Sequence, residues 1–231
     1  MKTYRLPFFC TLFILAAVNT VQAQPRIIEQ TLNVEPDGRI ELNLKFGNQI
    51  VIKAWDRPEV LFRATADVNN GRLNDAFLID FYQNGKARIE MDFDREKIRH
   101  GRTEDCPGKN YSYYDNHVVC SDITYEIYLP RDADLSVETI SANIELFGLH
   151  GLVSVKSISG YVDMSWPERD GAELSIKTIS GGVYSDLENI EFRNKGKFAP
   201  VGVDIRAKAG TGNTPVRLET ISGDIFLRRG S

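Results

Sequence analysis

Leu135-Ser-Val-Glu-Thr-Ile-Ser141-Ala142 is the first of four copies of one phrase in this chain. The others are Val153-Ser-Val-Lys-Ser-Ile-Ser159-Gly160, Leu174-Ser-Ile-Lys-Thr-Ile-Ser180-Gly181 and Val216-Arg-Leu-Glu-Thr-Ile-Ser222-Gly223. Successive final serines are 18, 21 and 42 residues apart. A recurring period of this length is typical of stacked repeat architectures. The last spacing, twice 21, predicts either an insertion or a disguised fifth repeat.

Apolar residues occupy five positions of each repeat, at six, four and one residues before the serine and at three and five residues after it, and only Ser185 breaks the pattern. Period-two alternation and many β-branched residues indicate strands on both sides of a bend. The bend is predicted at Thr139 and its equivalents, and a second corner at the glycine after the serine. We expect all five positions to be core, so a charge at Ile158 or Ile179 should unfold the array. The position directly before the serine holds Ile140, Ile158, Ile179 and Ile221.

Stacking such repeats would pile like residues on like and form one continuous core. The sequence therefore predicts an all-β chain, a β-solenoid or β-helix-like stack of short strands with 18–21-residue repeats. Residues 131–231 would form this stack, continuous with a β-rich half at residues 24–130. An outward position three residues before the serine carries a charge in every repeat, and its adjacent opposite charges favour cross-strand pairing. It holds Glu138, Lys156, Lys177 and Glu219.

The Thr-Ile-Ser-Gly phrases, together with the upstream stretch Phe46-Gly-Asn-Gln-Ile-Val-Ile-Lys-Ala-Trp55-Asp-Arg-Pro-Glu-Val60, resemble the bacterial putative-adhesin family of β-strand repeat domains, a domain of unknown function. The resemblance spans residues 32–227. It implies an envelope-associated, elongated β-repeat domain and brings no catalytic residues with it.

Residues 1–23 have the features of a signal peptide, with Lys2 and Arg5 before an apolar run and a small-residue cleavage motif ending at Ala23. A membrane anchor is the alternative, but the run is shorter than a span needs. We expect export to the periplasm, the outer membrane or the cell exterior, with no transmembrane segment after cleavage. Loss of the two positive charges changes the net charge from −4 to −6 over 208 residues. That charge disfavours nucleic-acid binding.

A long polar loop at residues 94–117 interrupts the strand pattern. Cys106 lies in it and Cys120 just after it, and in an oxidising compartment they predict a disulfide, with free thiols as the alternative. The loop also carries three tyrosines, which predict either a recognition loop or a stapled cover over the core. These are Tyr111, Tyr113 and Tyr114. His100 and His117 lack the spacing of a metal site.

Basic residues concentrate between the third and fourth repeats, in an otherwise acidic chain. They predict a hairpin that either contacts anionic glycan or lipid headgroups or is simply solvated. The residues are Arg193, Lys195, Lys197, Arg206 and Lys208. Further on, residues 226–229 would form an open last strand able to pair with a partner or with another copy.

The chain has three histidines and none of the common nucleophile, metal-protease, phosphate-loop or calcium-loop motifs. We therefore expect no catalytic residues, no cofactor and no metal. The favoured function is a non-enzymatic cell-envelope adhesin or scaffold that binds an envelope protein or glycan. Two alternatives remain: an envelope-stress or signalling component that binds a membrane partner, and a glycan-active β-helix enzyme.

Overall fold

The computed structural model describes residues 24–35, 38–83, 86–167, 170–193 and 202–230. Its strands form a 16-stranded sheet and a two-stranded sheet. Helical structure in these ranges comprises one short α-helix, α1 (Arg95–Ile98), and two 3₁₀ turns, Asn74–Ala76 and Thr103–Asp105. The predicted all-β class is confirmed. The predicted signal peptide lies outside the described residues.

The strands follow in chain order: β1 (Arg26–Asn33), β2 (Arg39–Leu44), β3 (Phe46–Trp55), β4 (Glu59–Val68), β5 (Phe77–Gln83), β6 (Ala87–Phe93), β7 (Ser112–Tyr114), β8 (His117–Val119), β9 (Ser121–Pro130), β10 (Asp134–Phe147), β11 (Val153–Ser159), β12 (Val162–Pro167), β13 (Ala172–Ser180), β14 (Val183–Ser185), β15 (Ile190–Phe192), β16 (Val203–Ala209), β17 (Pro215–Ser222) and β18 (Ile225–Gly230).

Each sequence repeat forms one layer of the stack, called here a rung, and its strands run parallel to those of the neighbouring rungs. The first repeat is β10, the second is β11 with β12, the third is β13 with β14, and the fourth is β17 with β18. Equivalent residues pair throughout, so Ser141 faces Ser159, and Ser222 lies between Ser159 and Ser180. The rungs are therefore stacked in the order first, second, fourth, third, with the fourth repeat inserted between its two predecessors.

The N-terminal half adds rungs to the same stack. Strands β2 and β3 run parallel to β10, with Ile40 opposite Leu135 and Ile50 opposite Ile144. Strands β6 and β9 then run parallel to β2 and β3. Beyond them the pairing turns antiparallel, with β5 on β6, β4 on β9 and β1 on β4. One sheet thus runs through both halves of the sequence.

The 42-residue spacing contains an insertion rather than a fifth repeat. Within it, β16 pairs antiparallel with β13, and β15 pairs antiparallel with β16. These two strands cover the side of the third repeat that faces away from the fourth repeat.

The core consists of the inward positions of the rungs. Leu135, Val153, Leu174 and Val216 are almost completely buried, as are their equivalents two residues later. At the N-terminal end the aromatic residues Phe62, Phe77 and Tyr125 fill the interior. Four of the five predicted apolar positions are therefore largely core, and the exception is described below.

Close approach between rungs accounts for the glycine after each serine. A Cβ on Gly160 would lie 2.1 Å from the carbonyl oxygen of Ala142, and one on Gly223 would lie 2.1 Å from that of Gly160. A Cβ on Gly181 would in turn lie 2.1 Å from the carbonyl oxygen of Gly223. Gly160 also has a positive φ of 106°. The series follows the spatial order of the rungs and begins at Ala142, where the register of β10 against β3 shifts between Ser141 and Asn143.

The prediction that residues 226–229 form an open edge is wrong. Strand β18 lies between β12 and β14, with Phe226 facing Asp163 on one side and Tyr184 on the other. The backbone N–H of Arg229 donates to Asp186 Oδ1 at 2.6 Å. Because the fourth repeat is inserted in the stack, its backbone groups already have neighbours.

Across the described ranges, every helix is too short to span a bilayer.

Candidate functional site

The corner of each repeat turns a hydroxyl inward and an isoleucine outward. Thr139, Ser157, Thr178 and Thr220 are 6%, 5%, 1% and 3% exposed. Ile140, Ile158, Ile179 and Ile221 are 39%, 47%, 43% and 48% exposed. The prediction that these isoleucines are core is wrong, because the strand keeps its alternation through the threonine or serine and bends only after it.

Hydrogen bonding explains why a hydroxyl occupies the inside of the corner. A bending chain leaves carbonyl groups without their strand partners, and a buried carbonyl needs a donor. Thr139 Oγ1 donates to the carbonyl of Lys45 at 3.3 Å, and Thr178 Oγ1 donates to the carbonyl of Gly223 at 3.0 Å. Ser157 Oγ reaches its own strand at the Ser159 carbonyl, at 2.9 Å. An isoleucine at these positions could not supply such a bond.

Thr220 is the exception among these four hydroxyls. Its Oγ1 is buried and has no hydrogen-bond partner among the described residues. Leaving a buried hydroxyl unpaired costs on the order of 1 kcal/mol or more. Thr220 belongs to the inserted fourth repeat, in the middle of the corner.

The outward isoleucines form a continuous line, called here the isoleucine ladder. Because the serines on one side and the threonines or serine on the other pair rung to rung, the isoleucines between them are also in register. Neighbouring rungs lie about 4.8 Å apart. In space the isoleucine ladder runs Ile140, Ile158, Ile221, Ile179.

A second line of side chains, the charge ladder, runs beside the first. Glu138 faces Lys156, Lys156 faces Glu219, and Glu219 faces Lys177. Along the stack the charges therefore alternate strictly. Lys156 and Lys177, which belong to consecutive repeats, are separated by Glu219, because the fourth repeat lies between the second and the third.

The two ladders line a groove of about 460 Å³, which also includes Asn43 and Lys45 at one end. We call it the corner groove. Its exposed apolar surface comes from the isoleucine ladder, and its rim from the charge ladder. Contiguous apolar surface with a polar rim is typical of interaction sites.

The charge ladder is only partly engaged within the chain. Lys156 Nζ lies 3.1 Å from Glu138 Oε1, and Arg217 donates to Glu219 Oε1 at 2.8 and 3.0 Å. Lys177 has no ion pair among the described residues. All of these side chains are at least partly exposed, so their ion pairs within the chain contribute little stability. The charged groups therefore remain available to a second molecule.

A polar cluster closes one end of the corner groove. Lys45 occupies the position equivalent to Ile140 and pairs with Asp92. The Tyr114 hydroxyl donates to Asp92 Oδ1 at 2.6 Å. Burial alone would raise the pKa of Asp92, but hydrogen bonds from Lys45 and Tyr114 outweigh it and hold that pKa below its usual value. Asp92 is therefore a stable anion that neutralises Lys45 at the end of the isoleucine ladder.

The polar loop with the cysteines is attached at the same end. The structure joins Cys106 and Cys120 in a disulfide, with the two Cα atoms 5.9 Å apart. Tyr114 packs edge-on against Phe46 and Phe93, at 5.7 and 5.4 Å between ring centroids. The disulfide thus ties the loop to the start of β9, and aromatic packing of Tyr114 fixes it beside the Lys45 end of the corner groove.

The three loop tyrosines have different environments. Tyr114 is half-buried. Its burial, and after that its hydrogen bond to Asp92, raise the pKa of its hydroxyl. Tyr111 and Tyr113 are exposed and pack edge to face at 6.0 Å. One tyrosine therefore covers the core, while the other two extend into solvent, where they could contact a partner.

Two of the basic residues between the third and fourth repeats, Arg193 and Lys208, have side-chain partners within the described part of the chain. Arg193 makes a two-pronged pair with Glu173, at 2.8 Å for each contact. Lys208 donates to Asn213 Oδ1 at 3.1 Å, and the backbone N–H of Arg193 donates to the Arg206 carbonyl at 2.8 Å. Lys195 and Lys197 lie outside the described residues. Arg193 thus helps to hold the insertion on the third repeat through Glu173 of β13, whereas Lys208 contacts the connection that follows β16.

Sequence reasoning missed the corner groove because isoleucine was assigned to the core by type. The available signal was the residue before each isoleucine, which is always threonine or serine. A small hydroxyl at a bend can satisfy a carbonyl, so it competes for the inward position. In the ranges that the structure describes, no cluster of histidine, cysteine, aspartate and glutamate is arranged to hold a metal.

No family model matches the chain, and no curated protein matches its sequence. Among solved structures it resembles a putative cell adhesion protein from Clostridium sporogenes, with a TM-score of 0.53 and 12% identity over 89% of this chain and 100% of the other. A putative adhesin from Bacteroides fragilis aligns with a TM-score of 0.25 and 8% identity over 88% of this chain and 97% of the other. The first likeness shows a shared fold, and it agrees with the adhesin-type resemblance seen in the repeats.

Proposed function

We propose that this chain is an exported, non-enzymatic interaction module of the cell envelope, an adhesin-type protein that binds its partner through the corner groove. In this proposal the stacked rungs form a short β-solenoid. The solenoid holds the isoleucine ladder and the charge ladder in fixed positions, so binding requires little ordering of the protein.

One observation carries the proposal: four isoleucines in register are 39–48% exposed, although the same rungs bury nearly all their other aliphatic side chains. Exposed aliphatic residues are common singly, but a contiguous line of them on one face is not. In three of the four repeats the hydroxyl beneath is hydrogen-bonded and keeps the isoleucine outward, since burying the isoleucine would expel a bonded threonine or serine. The apolar line is therefore a built feature of the corner.

The adhesive role and the location have separate support. The Clostridium sporogenes structure, whose whole length aligns with this chain, is described as a putative cell adhesion protein. The disulfide between Cys106 and Cys120 favours an oxidising compartment. The sequence of residues 1–23 favours export. Together these support a position in the periplasm, on the outer membrane or outside the cell.

A binding assay with matched variants tests the proposal. Labelled protein lacking residues 1–23 would be titrated onto intact cells and purified envelopes of the producing organism. Wild type should bind saturably, and Ile158→Glu should lose most of that binding, because a carboxylate would then stand in the apolar line. Ile27→Glu is the matched control, since Ile27 is an isoleucine on β1, 66% exposed and outside the groove.

Two results would contradict the proposal. One is saturable binding that Ile158→Glu and Ile27→Glu reduce equally, which would place the contact elsewhere. The other is the absence of binding by wild type. A panel of anionic polysaccharides incubated with the protein should yield no new reducing ends, and their appearance would replace the non-enzymatic role with a glycan-cleaving one.

A further inference from the structure

We infer that the occupant of the corner groove is the corner groove of a second copy of this chain, docked with the order of its rungs reversed. The inference rests on the proposed function, in that it names the partner of the same site. It follows from the sign pattern of the charge ladder and its position beside the isoleucine ladder.

Reversal of the rung order makes the charge ladder complementary to itself. Read along the stack, the ladder is Glu138, Lys156, Glu219, Lys177. Read backwards it begins with lysine, so each glutamate of one copy meets a lysine of the other. Glu138 would face Lys177 of the second copy, and Lys156 would face Glu219 of the second copy. Symmetry repeats both pairs, giving four ion pairs and no like-charge contact.

One two-fold axis produces this arrangement. It lies in the interface parallel to the strands, midway between the second and the fourth repeats. It places charge ladder on charge ladder and isoleucine ladder on isoleucine ladder, with Ile158 against Ile221 of the second copy. A two-fold axis along the stack would instead place the charges against the serines. Charge complementarity therefore selects the reversed order, as expected for an isologous contact.

The ends of the groove are compatible with the same docking. Asn43 precedes Glu138 in the ladder, and Asp204 follows Lys177. Reversal places Asn43 opposite Asp204 of the second copy, so no like-charge contact arises at the ends of the ladder. Lys45, at the end of the isoleucine ladder, is already paired with Asp92 and adds no free charge to the interface.

The length of the ladder sets the expected strength. Three rung spacings span about 14 Å, so the contact is smaller than the roughly 800 Å² per partner of a standard interface. We expect a reversible dimer that forms with increasing concentration, favoured where many copies are held close together. An unrelated acidic or basic segment would meet two like charges in the same groove.

Charge exchange between two variants tests the inference. Sedimentation equilibrium would be run on protein lacking residues 1–23. Lys156→Glu and Glu219→Lys should each weaken dimerisation by at least about tenfold, because each creates two like-charge contacts. An equimolar mixture of these two variants should recover association, since all four pairs are then opposite in charge.

A second mixture has the same charges in the wrong register. Glu138→Lys mixed with Lys156→Glu keeps two like-charge contacts, so it should show no recovery. Thermal melts establish that each variant folds, and Lys156→Gln with Glu219→Gln replace any that does not. Each glutamine variant alone loses both central ion pairs, and their mixture regains one of the two, so the expected recovery is partial.

The outcomes separate this inference from the proposed function. A wild type that remains monomeric up to about 1 mM, a weak-contact limit of about 4 kcal/mol, overturns the self-docking. Equal recovery in both mixtures also overturns it, because generic charge attraction would then explain the association. If wild type is monomeric while Ile158→Glu still abolishes envelope binding, the proposed function stands and its partner is another molecule.

Discussion

Replacing two isoleucines of the same strand tests the inside and the outside of the corner. Ile176 and Ile179 lie three residues apart in β13, but Ile176 is 3% exposed and Ile179 is 43% exposed. Truncation of a buried isoleucine to alanine costs about 2–5 kcal/mol, because transfer and cavity terms add. Full burial of an isoleucine is worth about 1.5–3 kcal/mol. Ile179 is half-exposed, and its truncation to alanine leaves no closed cavity. That substitution should therefore lower the free energy of unfolding by only about 1 kcal/mol.

Urea unfolding followed by circular dichroism would measure both variants. Ile176→Ala should lower the free energy of unfolding at least twice as much as Ile179→Ala. For a chain of this size, each kcal/mol lost from the free energy of unfolding lowers the melting temperature by about 2–4 °C. Similar losses for the two variants would show that Ile179 is buried in solution, and the corner groove would then not exist as described.

Three further expectations follow from the site. Replacing Cys106 and Cys120 by serine should reduce the free energy of unfolding by about 3 kcal/mol, the chain-entropy value for a 15-residue loop; equal urea midpoints for this variant and for oxidised wild type would contradict a stabilising disulfide. Thr220→Val should stabilise the fold by about 1 kcal/mol because it removes an unpaired buried hydroxyl, whereas Thr178→Val should destabilise it by about as much; calorimetry giving both the same sign would refute this distinction. The lowered pKa of Asp92 stabilises the fold above the unfolded-state pKa of about 4, and that stability is lost as the pH falls through the lower folded-state value; Asp92→Asn should therefore flatten the acid limb of a stability-against-pH curve, and an unchanged limb would contradict the role of Asp92.

Most of the core could be predicted from residue type and alternation. Leu135, Val137 and Ile144 are buried as the period-two pattern requires. The same reasoning failed at Ile140, one residue after a hydroxyl. Hydrophobicity ranks isoleucine above threonine for the interior, but a corner carbonyl needs a donor, and that local requirement decided which side chain turned inward.

The order of the rungs could not be predicted from the repeats. The equivalent positions of the last three repeats hold aliphatic side chains of similar size, which pack equally well against any neighbouring repeat. These residues are Val153, Leu174 and Val216. The pairing registers are identical whichever repeat is adjacent, so the pattern contains no information about order. The residues after the serines did contain some information about the order of the rungs. Only Ala142 has a Cβ at this position, and it belongs to the first of the four repeats in the stack.

The corner groove depends both on the outward isoleucines and on the spatial order of the rungs. The alternation of its charges exists only because Glu219 lies between Lys156 and Lys177. In sequence order the same residues read glutamate, lysine, lysine, glutamate, which suggests two ordinary neighbouring pairs. A functional interpretation of these residues therefore required the spatial order of the repeats.

Insertion of the fourth repeat between the second and the third also determines when this protein can fold. As the chain emerges from a ribosome or an export channel, β11 and β13 are complete long before β17, the strand that joins them. Until residues 215–222 are free, each of those strands presents an open edge to other chains. Vectorial folding, repeat by repeat, is thus interrupted at the third repeat, which can take its place in the stack only after residues 215–222 have emerged. Until then the open edges of β11 and β13 need protection from aggregation.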